Sequence, residues 1–200
     1  MHSGTENRPT AVQSDEELIA LFQDGDEAAF SILVGRYKDA LVNFAFRFLG
    51  DYDEADDVAQ ETFVRVYRNK LAYRPVAKFS TWLYTIASNL SKTALRRRKR
   101  SMFFSLTRKT DEGETSVDIP DMTYAADARA ETALKQGIIQ DALNAIPAKY
   151  REVVVLCDVQ ELTYEEICEI TRLNIGTVKS RLNRGRARLQ ELLKDLKEDF

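Results

Sequence analysis

Cysteine, histidine, proline and glycine are all scarce in this chain: two, one, four and eight among 200 residues. Cys157 and Cys168 are too few for a disulfide framework, and His2, alone in a polar tail, leaves no Cys/His zinc site. No apolar run approaches the roughly 20 residues that a membrane-spanning helix needs. The N-terminus, MHSGTENRPT, has no apolar signal core. Gly-rich phosphate loops and a Ser-His-Asp triad are missing as well. These absences predict a reduced, cytoplasmic, non-catalytic protein, not inserted in a membrane and using neither metal nor organic cofactor.

Charge is plentiful, and it is sorted. The net value of −3 argues against nucleic acid at first sight. Yet Asp51 to Glu61 holds six acids and no base, and Lys92 to Lys109 holds eight bases and no acid. Asp111 to Glu131 has seven acids against one arginine, and Arg172 to Arg188 has six bases and no acid. Such segregation predicts separate surfaces with different partners, at least two of them polyanionic.

Hydrophobic spacing is helical throughout, and no β-alternating run competes with it. Residues 1–13 read as a disordered tail. Ser14 and Glu17 form a capping box ahead of a short helix to about Gln23. A long helix follows, with Phe30, Leu33, Tyr37, Leu41, Phe44 and Phe48 at helical spacing, up to a Gly50 cap. The next helix covers about Asp53 to Asn69. After a loop containing Pro75, Ser80 is expected to cap a helix through roughly Arg98. Residues 14–100 thus read as one helical domain, and 101–130, with Gly113 and Pro120, as a flexible acidic linker. A second helical domain, 131–200, begins near Glu131 and includes Leu134, Ile138, Ala142 and Ile146. Pro147 starts its next helix, and Thr163 and Glu166 form another capping box. The turn Arg172 to Ile175 then leads into a last helix to about Lys197. The expected fold is all-α: two small helical domains, the second ending in a helix-turn-helix.

Three sets of residues stand out for function. The last helix sets Val178, Leu182, Leu189, Leu193 and Leu196 against Lys179, Arg181, Arg184, Arg186 and Arg188. A recognition helix needs this arrangement, one face docked and the other reaching phosphates and base edges. In the helix from Ser80, Thr85, Asn89, Lys92 and Arg96 make one polar stripe running into RRRKR (96–100). The preceding loop carries Tyr73, Arg74 and Lys78, and aromatics beside bases suit unpaired nucleotides. On the acidic helix, Asp57, Gln60, Glu61 and Val64 share a face. Spacing alone ranks it as a solvated face first, a protein-docking face second and a Mg²⁺ site third.

The strings EADDVAQETFVRVY (54–67), FSTWLYTIASN (79–89) and LTYEEICEITRLNIGTVKSRLNRGRARL (162–189) resemble, in that order, bacterial RNA polymerase sigma factors of the extracytoplasmic-function (ECF) group. The likeness runs over about residues 14–197. It implies an alternative sigma factor in which region 2 (14–100) binds core polymerase and opens the −10 element, while region 4 (131–200) reads the −35 element and meets the β flap. Asp56, Asp57, Gln60 and Glu61, with Val64, then dock on the β′ clamp helices. Tyr73, Arg74, Lys78, Trp82, Asn89, Lys92 and Arg96 face −10 DNA, with Tyr73 in a loop that captures a flipped base. Arg172, Thr177, Lys179, Ser180, Arg181, Asn183, Arg184 and Arg188 face −35 DNA. The resemblance also implies control by an anti-sigma factor. Pro75 stands where the family often has glycine, and Cys168 where it usually has alanine. The absence of a sizeable C-terminal extension predicts no appended regulatory domain.

The distances suit that role. Thirty linker residues reach at most about 100 Å, and two turns of duplex span roughly 70 Å. Flipping a base costs a few kcal/mol, and stacking it on an aromatic returns about 1–3 kcal/mol, so melting should need polymerase as co-binder. Two other classes compete. A stand-alone helix-turn-helix regulator accounts for the C-terminal half only, and a carboxylate-metal nuclease lacks a catalytic set.

Overall fold

The computed structural model describes residues 13–108 and 127–194, with side chains over 13–101 and 134–194. Residues 1–12 of the expected tail, 109–126 of the expected linker, and Leu196 and Lys197 lie outside these residues. Helix α1 (Asp15–Gln23) opens on the expected capping box: Ser14 Oγ accepts from the Glu17 N–H, and the Glu17 carboxylate accepts from the Ser14 N–H at 2.8 Å. Asp26 Oδ1 caps α2 (Glu27–Leu49) by accepting from the Ala28 and Ala29 N–H groups. That helix ends at Gly50 in the left-handed region, φ +75. Asp51 caps α3 (Tyr52–Arg68), accepting from the Glu54 N–H.

The next helix departs from expectation at both ends. Helix α4 (Phe79–Arg108) starts one residue before Ser80, so Ser80 is inside it rather than capping it. The Phe79 N–H donates instead to Glu16 Oε1 of α1, 3.0 Å away. At its other end α4 passes Arg98 and continues through SMFFSLTR, which holds no glycine or proline to stop it. Helix α5 (Asp127–Ala145) likewise begins ahead of Glu131.

In the second unit, α6 (Ala148–Val154) follows Pro147 and passes into a π-helical turn, Val155–Val159. Thr163 and Glu166 form the expected box at the start of α7 (Tyr164–Thr171), and Arg172, at φ 59, ends it. Asn174 Oδ1 then caps α8 (Ile175–Leu192) by accepting from the Thr177 N–H at 2.8 Å. Helices α7 and α8 with this turn make the helix-turn-helix. Helices α8 and α6 pack closely at Gly185, where an added Cβ would lie 2.6 Å from Val154 Cγ2.

Helix α2 is the axis of the first unit, packed against α1, α3 and α4. Leu18, Phe22, Leu33, Leu41, Phe44, Val66, Phe79 and Leu83 are all buried there, each worth about 1.5–3 kcal/mol of transfer free energy. Val153, Leu156, Ile167, Ile170, Val178 and Leu182 fill the second unit and belong to the same continuous apolar cluster. Leu134 of α5 is 65% exposed.

The two units are therefore docked on each other. At the C-terminal end of α2, buried Arg151 donates to Phe48 O at 2.7 Å, to Asn144 O at 2.7 Å and to Ile146 O at 3.3 Å. Beside it Gly50 lies so close to Asn144 that a Cβ would meet its Oδ1 at 2.4 Å.

Candidate nucleic-acid interfaces and docking face

The acidic helix presents its expected face outward. Asp57, Gln60 and Val64 are exposed, Asp56 and Glu61 half-buried. Gln60 Nε2 donates to Asp56 Oδ2 at 2.6 Å, and Arg65 Nε donates to Glu61 Oε1 at 2.8 Å. Such exposed pairs are worth only about 0.3–0.5 kcal/mol each, so they break readily for a partner. Val64 borders a shallow groove of about 230 Å³, floored by Phe30 and Phe63 and edged by Tyr67 and Arg68. Phe30 stacks on Phe22 with ring centroids 4.6 Å apart, which keeps the floor rigid. An apolar groove on the helix that also carries Asp56, Asp57 and Glu61 suits a basic, amphipathic protein surface better than phosphate. Among the described residues, no three Asp, Glu, His or Cys side chains converge as metal donors.

The loop between α3 and α4 places its residues unevenly. Tyr73 is only 5% exposed. Its ring packs on Trp82 and Phe79, with centroids 5.5 and 6.0 Å away, and its hydroxyl donates to Ala77 O at 2.9 Å. Burial raises its pKa, helped by Glu16 and Asp15. Tyr73 therefore forms part of a wall instead of standing free as a stacking platform. Arg74 and Lys78 are exposed, and Val76 at the tip is 93% exposed. Tyr73, Val76, Trp82 and Thr85 line a cavity of about 300 Å³ whose far side is Glu169 and Arg172 of α7 and its cap. Along α4, Asn89 and Arg96 are exposed and Lys92 half-buried. Arg98 of the basic run is a brace, donating to Leu49 O at 3.1 Å and pairing with Glu54 at 3.5 Å.

Helix α8 buries Val178, Leu182 and Gly185 and leaves Lys179, Ser180, Asn183, Arg184 and Arg188 exposed, with Thr177 and Arg181 half-buried. A cavity of about 300 Å³ opens beside it, lined by Thr177, Ser180, Arg181 and Arg184 together with Lys149 and Tyr150 of α6. Arg184, beside the Tyr150 hydroxyl, favours the phenolate and lowers the tyrosine's pKa, with Lys149 adding to it. Lys149 and Arg188 flank its ring, 5.0 and 5.3 Å from the centroid. Sequence reasoning missed Lys149 and Tyr150, since α6 reads locally as a plain amphipathic helix. Arg186 is held by Asp158, with Nε 3.1 Å from Oδ2. Arg172 does not join the α8 group; it lies by the α3–α4 loop cavity.

Docking of the units covers part of the α4 stripe. Lys78 Nζ pairs with Glu166 at 2.8 Å, and Lys92 Nζ with Glu152 at 3.1 Å. Ser88 donates to the same Glu152 carboxylate, and Tyr84 to Gln160 Oε1 at 2.6 Å. Acids of one unit thus occupy bases that would otherwise be open to phosphate. Neither cysteine has a lowered pKa: burial raises the thiols of Cys157 and Cys168, with neighbouring carboxylates adding to it.

Residues 33–101 match the Sigma-70 region 2 family and residues 136–189 the Sigma-70, region 4 family. The ECF RNA polymerase sigma factor SigW of Bacillus subtilis (strain 168) is 40% identical over 174 residues, 86% of this chain and 92% of its own. The RNA polymerase sigma-H factor of Pseudomonas aeruginosa is 31% identical over 188 residues, 92% of this chain and 96% of its own. Among solved structures, the fold is similar to the sigma factor RpoE in complex with the anti-sigma factor NepR from Bartonella quintana. That likeness has a TM-score of 0.64 at 29% identity, covering 82% of this chain and 96% of the other. CnrH in complex with the cytosolic domain of CnrY gives a TM-score of 0.67 at 25% identity, covering 92% and 99%.

Proposed function

The chain belongs to the ECF sigma factors of the sigma-70 family, and on that footing we propose how its surfaces divide the work of starting transcription. Asp56, Asp57, Gln60, Glu61 and Val64 dock α3 on the β′ clamp helices of core RNA polymerase, and the Phe30–Phe63 groove takes an apolar side chain of that partner. Arg74, Lys78, Asn89, Lys92 and Arg96 hold the −10 strand, with Trp82 and the buried edge of Tyr73 bounding the pocket for an unpaired base. Helix α8 reads the −35 element through Thr177, Lys179, Ser180, Arg181, Asn183, Arg184 and Arg188, while its unit meets the β flap. Arg172 serves only once the two units separate.

The observation that carries this reading is the separation of one acidic, apolar-edged face from two basic faces on a single chain. A stand-alone helix-turn-helix regulator would leave that acidic face and the α3–α4 loop without a task. Both structural neighbours are complexes with partners, in one case a named anti-sigma factor. We extend that to this chain: an anti-sigma factor holds the units in the docked arrangement.

The test is binding of the purified protein to core RNA polymerase, beside a variant carrying Asp57→Ala, Gln60→Ala and Glu61→Ala. Tight binding by the wild type and its loss in the variant are expected. Equal binding by both moves the docking face elsewhere.

A further inference from the structure

The loop that carries Arg74, Val76 and Lys78 is gripped from outside, by α1. At its start, Gln23 Nε2 donates to Lys70 O at 2.7 Å and to Tyr73 O at 3.2 Å. Lys70 answers by donating its Nζ to Phe22 O at 2.6 Å, where the ammonium also lies 4.3 Å from the Phe22 ring centroid. At the loop's end, Glu16 Oε1 accepts from the first N–H of α4, that of Phe79. Between these two points the loop has little of its own: the Tyr73 hydroxyl to Ala77 O and the Val76 N–H to Arg74 O. Helix α1 is itself secured, with Leu18, Ile19 and Phe22 buried and Arg36 paired to Asp15 at 2.6 Å.

The chemistry at each point is specific. A primary amide offers two N–H donors from one nitrogen, which is what two neighbouring carbonyls require. A helix N-terminus requires an acceptor, preferably anionic. A loop whose tip is exposed must hold its shape without spending the groups it offers to a ligand, and order supplied beforehand raises affinity.

We infer that α1 is the positioning element of the −10-reading loop, with Gln23 and Glu16 as its positioning residues. The inference rests on the reading of that loop given under Proposed function. It assigns work to a helix that lies ahead of the region 2 match at residue 33.

The experiment compares Gln23→Ala, Gln23→Glu, Glu16→Ala and Glu16→Gln with the wild type, plus a loop control carrying Arg74→Ala and Lys78→Ala. Amide hydrogen exchange over 70–79 is followed in the full-length protein. Retention of a single-stranded oligonucleotide pool with a randomised segment is then measured on the assembled holoenzyme, together with core affinity. Gln23→Ala and Gln23→Glu should both speed exchange and reduce retention about five- to thirtyfold, the range set by one or two net hydrogen bonds. Gln23→Glu should fail as fully as alanine, because a carboxylate has no donor for the two carbonyls. Glu16→Gln should stay within about twofold of wild type, since its amide oxygen still accepts from Phe79, while Glu16→Ala should not. Core affinity should be unchanged in all of them. Unchanged exchange in Gln23→Ala, or faster exchange with full retention while the loop control loses it, overturns the inference. A loop control that retains the pool like wild type brings down the reading of the loop and the inference with it.

Discussion

Glu152 is the residue whose removal should separate the two units most cleanly. It belongs to α6, is 5% exposed, and spends its carboxylate on the other unit: the Ser88 hydroxyl and the Lys92 ammonium. Glu152→Ala thus falls on docking and leaves the packing within each unit intact. The bond from fully buried Ser88 is charge-assisted and contributes about 1.5–3 kcal/mol. Lys92 is about a third exposed, so solvent screens its pair, which contributes up to about 1 kcal/mol. Relief of the desolvation of Glu152 offsets part of this. The net loss is about 1–3 kcal/mol, which is roughly a 5- to 150-fold shift from docked to separated. Small-angle scattering at low salt should show a larger radius of gyration for Glu152→Ala, and the variant should bind a single-stranded −10 oligonucleotide more tightly without polymerase. Superimposable scattering curves with equal affinity would refute the reasoning. Combining it with Lys92→Ala in a double-mutant cycle would apportion the pair.

Other outcomes follow from the same geometry. Gly50→Ala places a Cβ at φ +75 against Asn144; backbone strain alone costs about 1–2 kcal/mol. Thermal melting should fall by several degrees, at about 2–4 °C per kcal/mol, and an unchanged midpoint would contradict the contact. Arg184→Ala should weaken −35 duplex binding about 5- to 150-fold and scrambled duplex less, with Tyr150→Phe showing a milder loss of the same kind. Equal losses on both duplexes would make Arg184 a phosphate contact. Burial pushes the Glu166 carboxyl up, but the bonds from Lys78 and Thr163 outweigh it and hold it below the ordinary 4.5. Its contribution is complete above that ordinary value and is lost as pH falls through the lower folded one. Glu166→Gln should therefore flatten the acid limb of the stability curve below about pH 5, and an unaltered limb would count against the pairing.

The parts of the fold legible in sequence are those with local causes. Ser14 with Glu17 and Thr163 with Glu166 announce their helices because a cap and its partner lie three residues apart. Gly50 ends α2 for a reason contained in its own backbone. The start of α4 was not legible, because its cap comes from Glu16, 63 positions away. Arg151 and Glu152 look like the polar face of an amphipathic helix, and only the arrival of the other unit explains their burial. Tyr73 illustrates the same limit within a site. Its position beside basic residues points to unpaired nucleotides, but spacing does not show that Phe79 and Trp82 pack on its ring and bury it. The cations of α8 were readable from spacing, but Lys149 and Tyr150 join them only through the folding of α6 onto α8.

The lysine pairs across the docked face bear on how salt should act. Each phosphate neutralised on single-stranded DNA ordinarily lowers the slope of log K against log salt by about 0.7. Lys78 and Lys92 arrive with carboxylates already in place, so nucleic acid must displace an internal anion before it can bind there. Rising salt screens those internal pairs too, making them easier to break while it weakens the contacts that replace them. The two dependences oppose each other. A holoenzyme in which the units are already apart should show the full slope, and the free chain a shallower one than its phosphate contacts would suggest.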